Sequence, residues 1–189
     1  MTQGNQSDVI DLLLAQHGRI KGVLELVRIS AGAEKQRRFD ELVRLLAVHE
    51  SVEAEVVHPA ARRHSVGSEI VDSRLHEERE AERMLARLYE MGVEHPEFDS
   101  TFRSFADTIV AHAELEEKEE FGPLLIDTSV PERVRLAGVV RFAEALTPTY
   151  PDPGGTAMPS ANLLAGPPME IFARIRDTLR DWKWQSSNA

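Results

Sequence analysis

Histidine and glutamate recur four residues apart in three stretches: His49-Glu50-Ser51-Val52-Glu53, His76-Glu77-Glu78-Arg79-Glu80 and His112-Ala113-Glu114-Leu115-Glu116. On a helix, residues at that spacing share a face, with side-chain roots about 6 Å apart. An imidazole and a carboxylate so placed can reach one metal centre. A fourth histidine, His17, lies in the middle of an apolar arc of Ile10, Leu13, Leu14, Ile20 and Leu24. Counted at about 100° per residue, His49 and Glu53 fall inside the arc of Phe39, Leu42, Leu45, Leu46, Val52 and Val56. His112 and Glu116 continue the arc of Phe98, Phe102, Phe105 and Ile109. The third stretch is less regular. Its arc is Ile70, Met84, Leu88 and Met91, with His76 at the edge, Glu80 further in, and Glu77 pointing at least as well.

A single core histidine is usually an ordinary packed residue. Glutamate differs, because it is almost never buried without a partner. Arg44, Arg79, Arg83 and Arg87 point away from the arcs or to their margins. Four histidines and three glutamates converging on one axis therefore require cations. The expected donors are His17, His49, Glu53, His76, Glu80, His112 and Glu116, with Glu117 as the alternative to Glu116. Imidazole and carboxylate without thiolate suit iron, manganese or zinc, iron being preferred. Seven donors exceed what one ion with an open position needs. They suit two ions joined by two bridging glutamates and an oxo or hydroxo bridge, with one position left for a small ligand. The other histidines are read as lying outside the set. His58 precedes Pro59 on the side of its helix opposite His49, and His64 and His95 sit in or beside turns.

Four long helices would position such a set. The first spans about 8–29 with Ser7 as N-cap, and the second about 34–63 with a kink or break at His58-Pro59. The third runs from a Ser68 cap to 89 or 91, and the fourth covers about 99–120, stopping at Gly122-Pro123. Short turns between long helices predict an all-α, antiparallel up-and-down four-helix bundle over residues 1–125. Residues 126–189 read as a helical appendage. Ser129-Val130-Pro131-Glu132 opens a helix to about Leu146, a Pro/Gly-rich loop follows, and MEIFARIRDTLRDWKW is an amphipathic helix that packs on the bundle or on a partner.

The 189 residues are 42% hydrophobic, enough for one substantial core. A net charge of −10 argues against nucleic acid and against an anionic membrane surface. The absence of cysteine excludes disulfides, iron–sulfur clusters and thiolate zinc sites. No secretory signal or membrane-length apolar run is present, so the expectation is a cytoplasmic protein, monomeric or homodimeric.

As an ordered set, LLAQHGRI, LAVHESVEAEVVHP, LHEERE and HAELEEKEEFGPLL resemble the hemerythrin-like family, the HHE cation-binding domain, over about residues 8–125. The resemblance implies a four-helix bundle with a non-heme di-iron centre, in which the seven donors would be the ligands. Two departures stand out. The oxygen-carrying members place a second histidine where this chain has Glu80, and their fourth helix places its carboxylate at the position of Glu117. A carboxylate in place of a neutral imidazole favours ferric over ferrous iron and works against reversible O₂ carriage. The expected function is therefore binding of a small oxygen species, foremost peroxide decomposition of the catalase type or defence against oxidative or nitrosative stress. The alternative is a module that senses O₂, NO or iron and acts through a partner by way of its tail.

Overall fold

Among the described residues six helices follow one another, and the turns between them explain where each stops. The computed structural model describes residues 7–64, 66–146 and 163–187; among these there is no strand. Helix α1 is Val9–Ile29. Its cap is Asp8, where Ser7 was expected. The Asp8 carboxylate accepts from the backbone N–H groups of Ile10 and Asp11, and the Asp11 carboxylate accepts from that of Asp8. A serine at position 7 cannot match this reciprocal box, worth about 1 kcal/mol. Arg133 holds the second Asp8 oxygen at 2.7 Å.

Helix α2 comprises Gly32–Val52, a widened π-helical turn at Glu53–Val57, and His58–Arg63. Pro59 dictates the wide turn. Proline has no N–H to give the carbonyl four residues back, and its ring crowds that carbonyl. The backbone bulges by one residue, and the His58 N–H bonds to the Glu53 carbonyl instead. The Glu55 carbonyl, inside the wide turn, accepts from Lys183 Nζ of the last helix.

Helix α3 is Ser68–Met91. Gly67, with φ +87°, precedes it, so Ser68 is its first residue and not its cap. Gly92, with φ +76°, ends it and donates its N–H to the Leu88 carbonyl. Helix α4 comprises Phe98–Glu116, a second wide turn at Glu117–Phe121, and Gly122–Asp127. It does not stop at Gly122-Pro123 as expected. The wide turn absorbs Pro123 just as the first absorbs Pro59.

These four form the antiparallel bundle. Helix α5, Val130–Leu146, lies against α1 and α2, and helix α6, Pro168–Ser187, against α2 and α3. The tail thus docks on its own bundle. Ile171, Phe172, Ile175 and Leu179 of α6 enter the same core cluster as Phe39, Leu46 and Leu85. Trp182 stacks on Phe142 of α5 with ring centres 4.8 Å apart.

Candidate metal centre

The apolar stripes of α1, α2 and α4 give way to acids and imidazoles at one level of the bundle. His17, His49, Glu50, Glu53, His58, Glu78, His112, Glu116 and Glu120 are all buried there. Each imidazole is held by Nδ1. His17 Nδ1 lies 2.8 Å from Glu117 Oε1, His58 Nδ1 2.8 Å from Glu120 Oε1, and His112 Nδ1 2.9 Å from Glu77 Oε2. His49 Nδ1 lies 3.0 Å from Gln16 Oε1. An oxygen acceptor on Nδ1 fixes the hydrogen there and frees the Nε2 lone pair, the arrangement typical of metal-binding histidines.

All four Nε2 atoms face the interior carboxylates. His17 Nε2 is 3.4 Å from Glu116 Oε2, and His112 Nε2 is 3.2 Å from Glu116 Oε1. The two oxygens of Glu116 therefore address different imidazoles, as a bridging carboxylate does. His49 Nε2 is 3.4 Å from Glu53 Oε2, and His58 Nε2 contacts Glu78 Oε1. Potential ligand atoms fall within 4.8 Å of one another in three overlapping groups: His17, His49, Glu53 and Glu116; Glu50, Glu53, Glu78 and His112; and His58, Glu78 and Glu116.

The donor atoms fit a cation. Both carboxylate oxygens of Glu53 and of Glu116, together with His112 Nε2 and Glu50 Oε2, are buried without a hydrogen-bond partner among the described residues. Such groups are costly unless a charge compensates them. His17 Nε2 and His49 Nε2 stand only 3.0 Å apart. The Gln16 amide donates to Glu144 Oε1 at 2.8 Å, so its oxygen faces His49 and can only accept. Burial raises the Glu117 pKa, but the hydrogen bond from His17 and the charge of Lys21 outweigh it and keep this carboxyl ionised below the usual glutamate value. Both imidazoles thus carry hydrogen on Nδ1 and turn Nε2 lone pairs toward each other, a contact that demands a proton or a metal between them.

With protons alone to balance the charge, the groups are driven far apart in acidity. Burial, and then the charge of His17, hold His49 well below its ordinary pKa. Burial lifts Glu50, Glu53 and Glu78 above the carboxylate range, reinforced at Glu50 and Glu53 by neighbouring carboxylates. Burial also pushes Glu116 up, yet the Nε2 atoms of His112 and His17 beside its two oxygens hold it below its ordinary value. His58 and His112 are lowered by burial, but their glutamate partners prevail and raise both to about 10.

Of the seven expected donors, His17, His49, Glu53, His112 and Glu116 meet in this cluster, while His76 and Glu80 do not. Both are exposed, and Glu80 pairs with Arg83 at the surface. Helix α3 is rolled so that Val71, Arg74, Glu78, Ala81, Glu82, Leu85 and Leu88 face inward. Three of those seven, Arg74, Glu78 and Glu82, are charged, so apolar periodicity misses its phase. Glu77 and Glu117 hold imidazoles by Nδ1 from the rim. Arg74, itself buried, grips Glu77 and Glu119.

His58 is the fourth imidazole, contrary to its reading as an outside residue. On a regular helix nine residues at about 100° each place it opposite His49. The wide turn takes in one extra residue and brings it round. Pro59 was the available signal. Glu50, Glu78, Glu120 and Gln16 were also missed. Glu50 and Glu78 sit inside the quoted motifs but were passed over for the i+4 positions.

A cavity of about 10 Å³ lined by His17, Lys21, His49, Glu50 and His112 adjoins the cluster. That is room for about one water-sized molecule. Among the described residues no helix is long and apolar enough to cross a membrane.

A family model described as Hemerythrin HHE cation binding domain matches residues 8–124. No curated protein matches the chain. The crystal structure of a hemerythrin HHE cation binding domain-containing protein from Mycobacterium kansasii is similar with a TM-score of 0.64 at 20% identity. The match covers 76% of this chain and 95% of that one. At this identity the likeness establishes the shared fold.

Proposed function

The chain belongs to the hemerythrin HHE cation-binding domain family, and on that premise we propose that its buried His/Glu cluster holds two iron ions and decomposes hydrogen peroxide. The observation that carries the reading is the set of four Nε2 atoms converging on carboxylates that have no other partner. One ion would take His17 and His49, the other His58, His112 and Glu78, with Glu53 and Glu116 shared and Glu50 close by. The nitrogen and oxygen donors suit iron ahead of zinc or manganese. Glu50, Glu53, Glu78 and Glu116 supply enough negative charge to favour the ferric state, which disfavours reversible O₂ carriage.

Bound iron would supply redox equivalents and Lewis acidity, and 2 H₂O₂ → 2 H₂O + O₂ balances without an outside reductant. The chain contributes the rest. The small cavity beside the cluster has room for about one water-sized molecule, which excludes bulky substrates. Glu117 Oε1 and Glu77 Oε2 link the Nδ1 atoms of His17 and His112 to the partly exposed rim. They are placed to accept and return protons there.

The test is metal content per chain, the optical spectrum, and O₂ evolution on adding peroxide. Two irons per chain, near-ultraviolet absorption from an oxo bridge, and turnover above that of free iron are expected. A stable, reversible O₂ adduct of the ferrous protein without peroxide turnover would reverse the ranking. A sensing role is the second reading, favoured by the bond from Lys183 of α6 to the Glu55 carbonyl within the wide turn that joins Glu53 to His58. Limited proteolysis with and without iron separates the two: identical cleavage of α6 in both states speaks against sensing.

A further inference from the structure

Three of the four imidazoles lean on a carboxylate through Nδ1, and the fourth leans on an amide. Gln16, buried and one residue before His17, accepts from His49. Its orientation is not free. A carboxylate can only accept, so Glu144 of α5 draws the Gln16 NH₂ toward itself and leaves the amide oxygen facing His49 Nδ1. Glu144 lies outside the segment matched by the family model, 8–124. The appended helix thereby sets a hydrogen bond at the centre of the bundle.

The kind of acceptor matters. A carboxylate pulls the Nδ1 hydrogen strongly and makes the imidazole more electron-rich, and an amide oxygen does so more weakly. A carboxylate at position 16 would also add charge beside Glu53 and Glu116. The His49 ring stands edge-on to His17, with centres 4.7 Å apart and planes at 73°, so a turned ring or the other tautomer would withdraw Nε2 from the cluster.

We propose that Gln16, aimed by Glu144, is a positioning residue that locks His49 in its Nδ1–H form and keeps it the weakest electron donor of the four imidazoles, making the His17/His49 iron the more easily reduced of the two. The tautomer half stands on the hydrogen bonds alone; the redox half rests on the di-iron reading above.

The experiment compares the full chain with Gln16→Leu, with Gln16→Glu combined with Glu144→Gln, and with Glu144→Gln alone. Imidazole ¹⁵N shifts are recorded before and after loading with ferrous iron. Affinity is read by chelator competition and midpoint potentials by redox titration. The parent should show His49 with hydrogen on Nδ1 even without iron. Gln16→Leu should lose that preference and bind one of the two ions 10- to 100-fold more weakly. The double change exchanges amide and carboxylate between the two positions. It should restore both tautomer and affinity and shift one midpoint to a more negative value. Glu144→Gln alone should give a mixed His49 tautomer. Unchanged tautomer and affinity in Gln16→Leu would overturn the proposal and leave iron binding standing. A parent that shows the tautomer but binds no iron would remove the redox half together with the di-iron reading. Equal potentials in parent and double variant would overturn the redox half alone.

Discussion

The two ends of the bundle are built by the same helices and obey opposite rules. At one end α2 and α4 bring together Phe39, Phe98, Phe102 and Phe105, with ring centres 5.3 Å apart for Phe39–Phe98 and 5.6 Å for Phe98–Phe102. These rings hold no polar atoms, so every contact favours folding. A few turns on, the same two helices supply His49, Glu53 and His58, and His112, Glu116 and Glu120. Here buried oxygens lack partners and acidities are driven apart, so the groups oppose folding unless a cation binds. The aromatic end supplies stability that the polar end draws on, a division expected where a site must be ready before its ligand arrives.

The largest effect separating the ends should come from Phe102→Ala, at about 3–5 kcal/mol of destabilisation. Denaturant titration should give the same loss with and without iron. Removing iron should cost about 4 kcal/mol when free iron had stood a thousandfold above its dissociation constant. Glu53→Gln should abolish that dependence while making the iron-free protein more stable by about 1–3 kcal/mol, because the cost of holding that carboxyl protonated in the interior is gone. A destabilised iron-free Glu53→Gln protein would break the comparison.

The next effect is on pH. In iron-free protein the folded-state pKa values of His58 and His112 are about 10, above the ordinary 6.5. Folded protein then holds protons that unfolded protein releases. This stabilisation is complete below about pH 6.5 and fades as pH rises toward 10. The raised Glu50, Glu53 and Glu78 act in the same direction, since folding discourages their ionisation. Iron competes with these protons, so its affinity should rise with pH. Melting temperatures of the two forms should diverge as pH increases from 6.5. The smallest effects sharpen the placement of α3. His76→Ala and Glu80→Ala should each change stability by no more than about 0.5 kcal/mol and leave iron content unaltered, whereas His58→Ala should lose iron.

What was legible in the sequence follows the same division. Helices α1, α2 and α4 carry stripes that are mostly apolar, and a histidine or glutamate interrupting such a stripe is read correctly as interior. Helix α3 offers Arg74, Glu78 and Glu82 on its inner face, so counting apolar residues assigns the wrong phase. Part of the reason lies in α6, whose Arg176 pairs with Glu82 and lets an acid sit inside. The amphipathic face of α6 was visible in the sequence, but its destination on the bundle depends on contacts far apart in the chain. Gln16 sits inside LLAQHGRI, but only the positions of His49 and Glu144 reveal its role.

The wide turns at Glu53–Val57 and Glu117–Phe121 each contain one residue more than an ordinary helix would need. Deleting one of those residues, for instance Ala54, lets the helix resume its usual pitch with everything downstream left in phase: His58 then follows His49 by eight residues, about 80° round the axis, and stays inside. Straightening the turn with its full number of residues instead swings everything downstream by about 100° and carries His58 to the side opposite His49. An alignment that forbids a one-residue gap inside these helices will pair the wrong histidines.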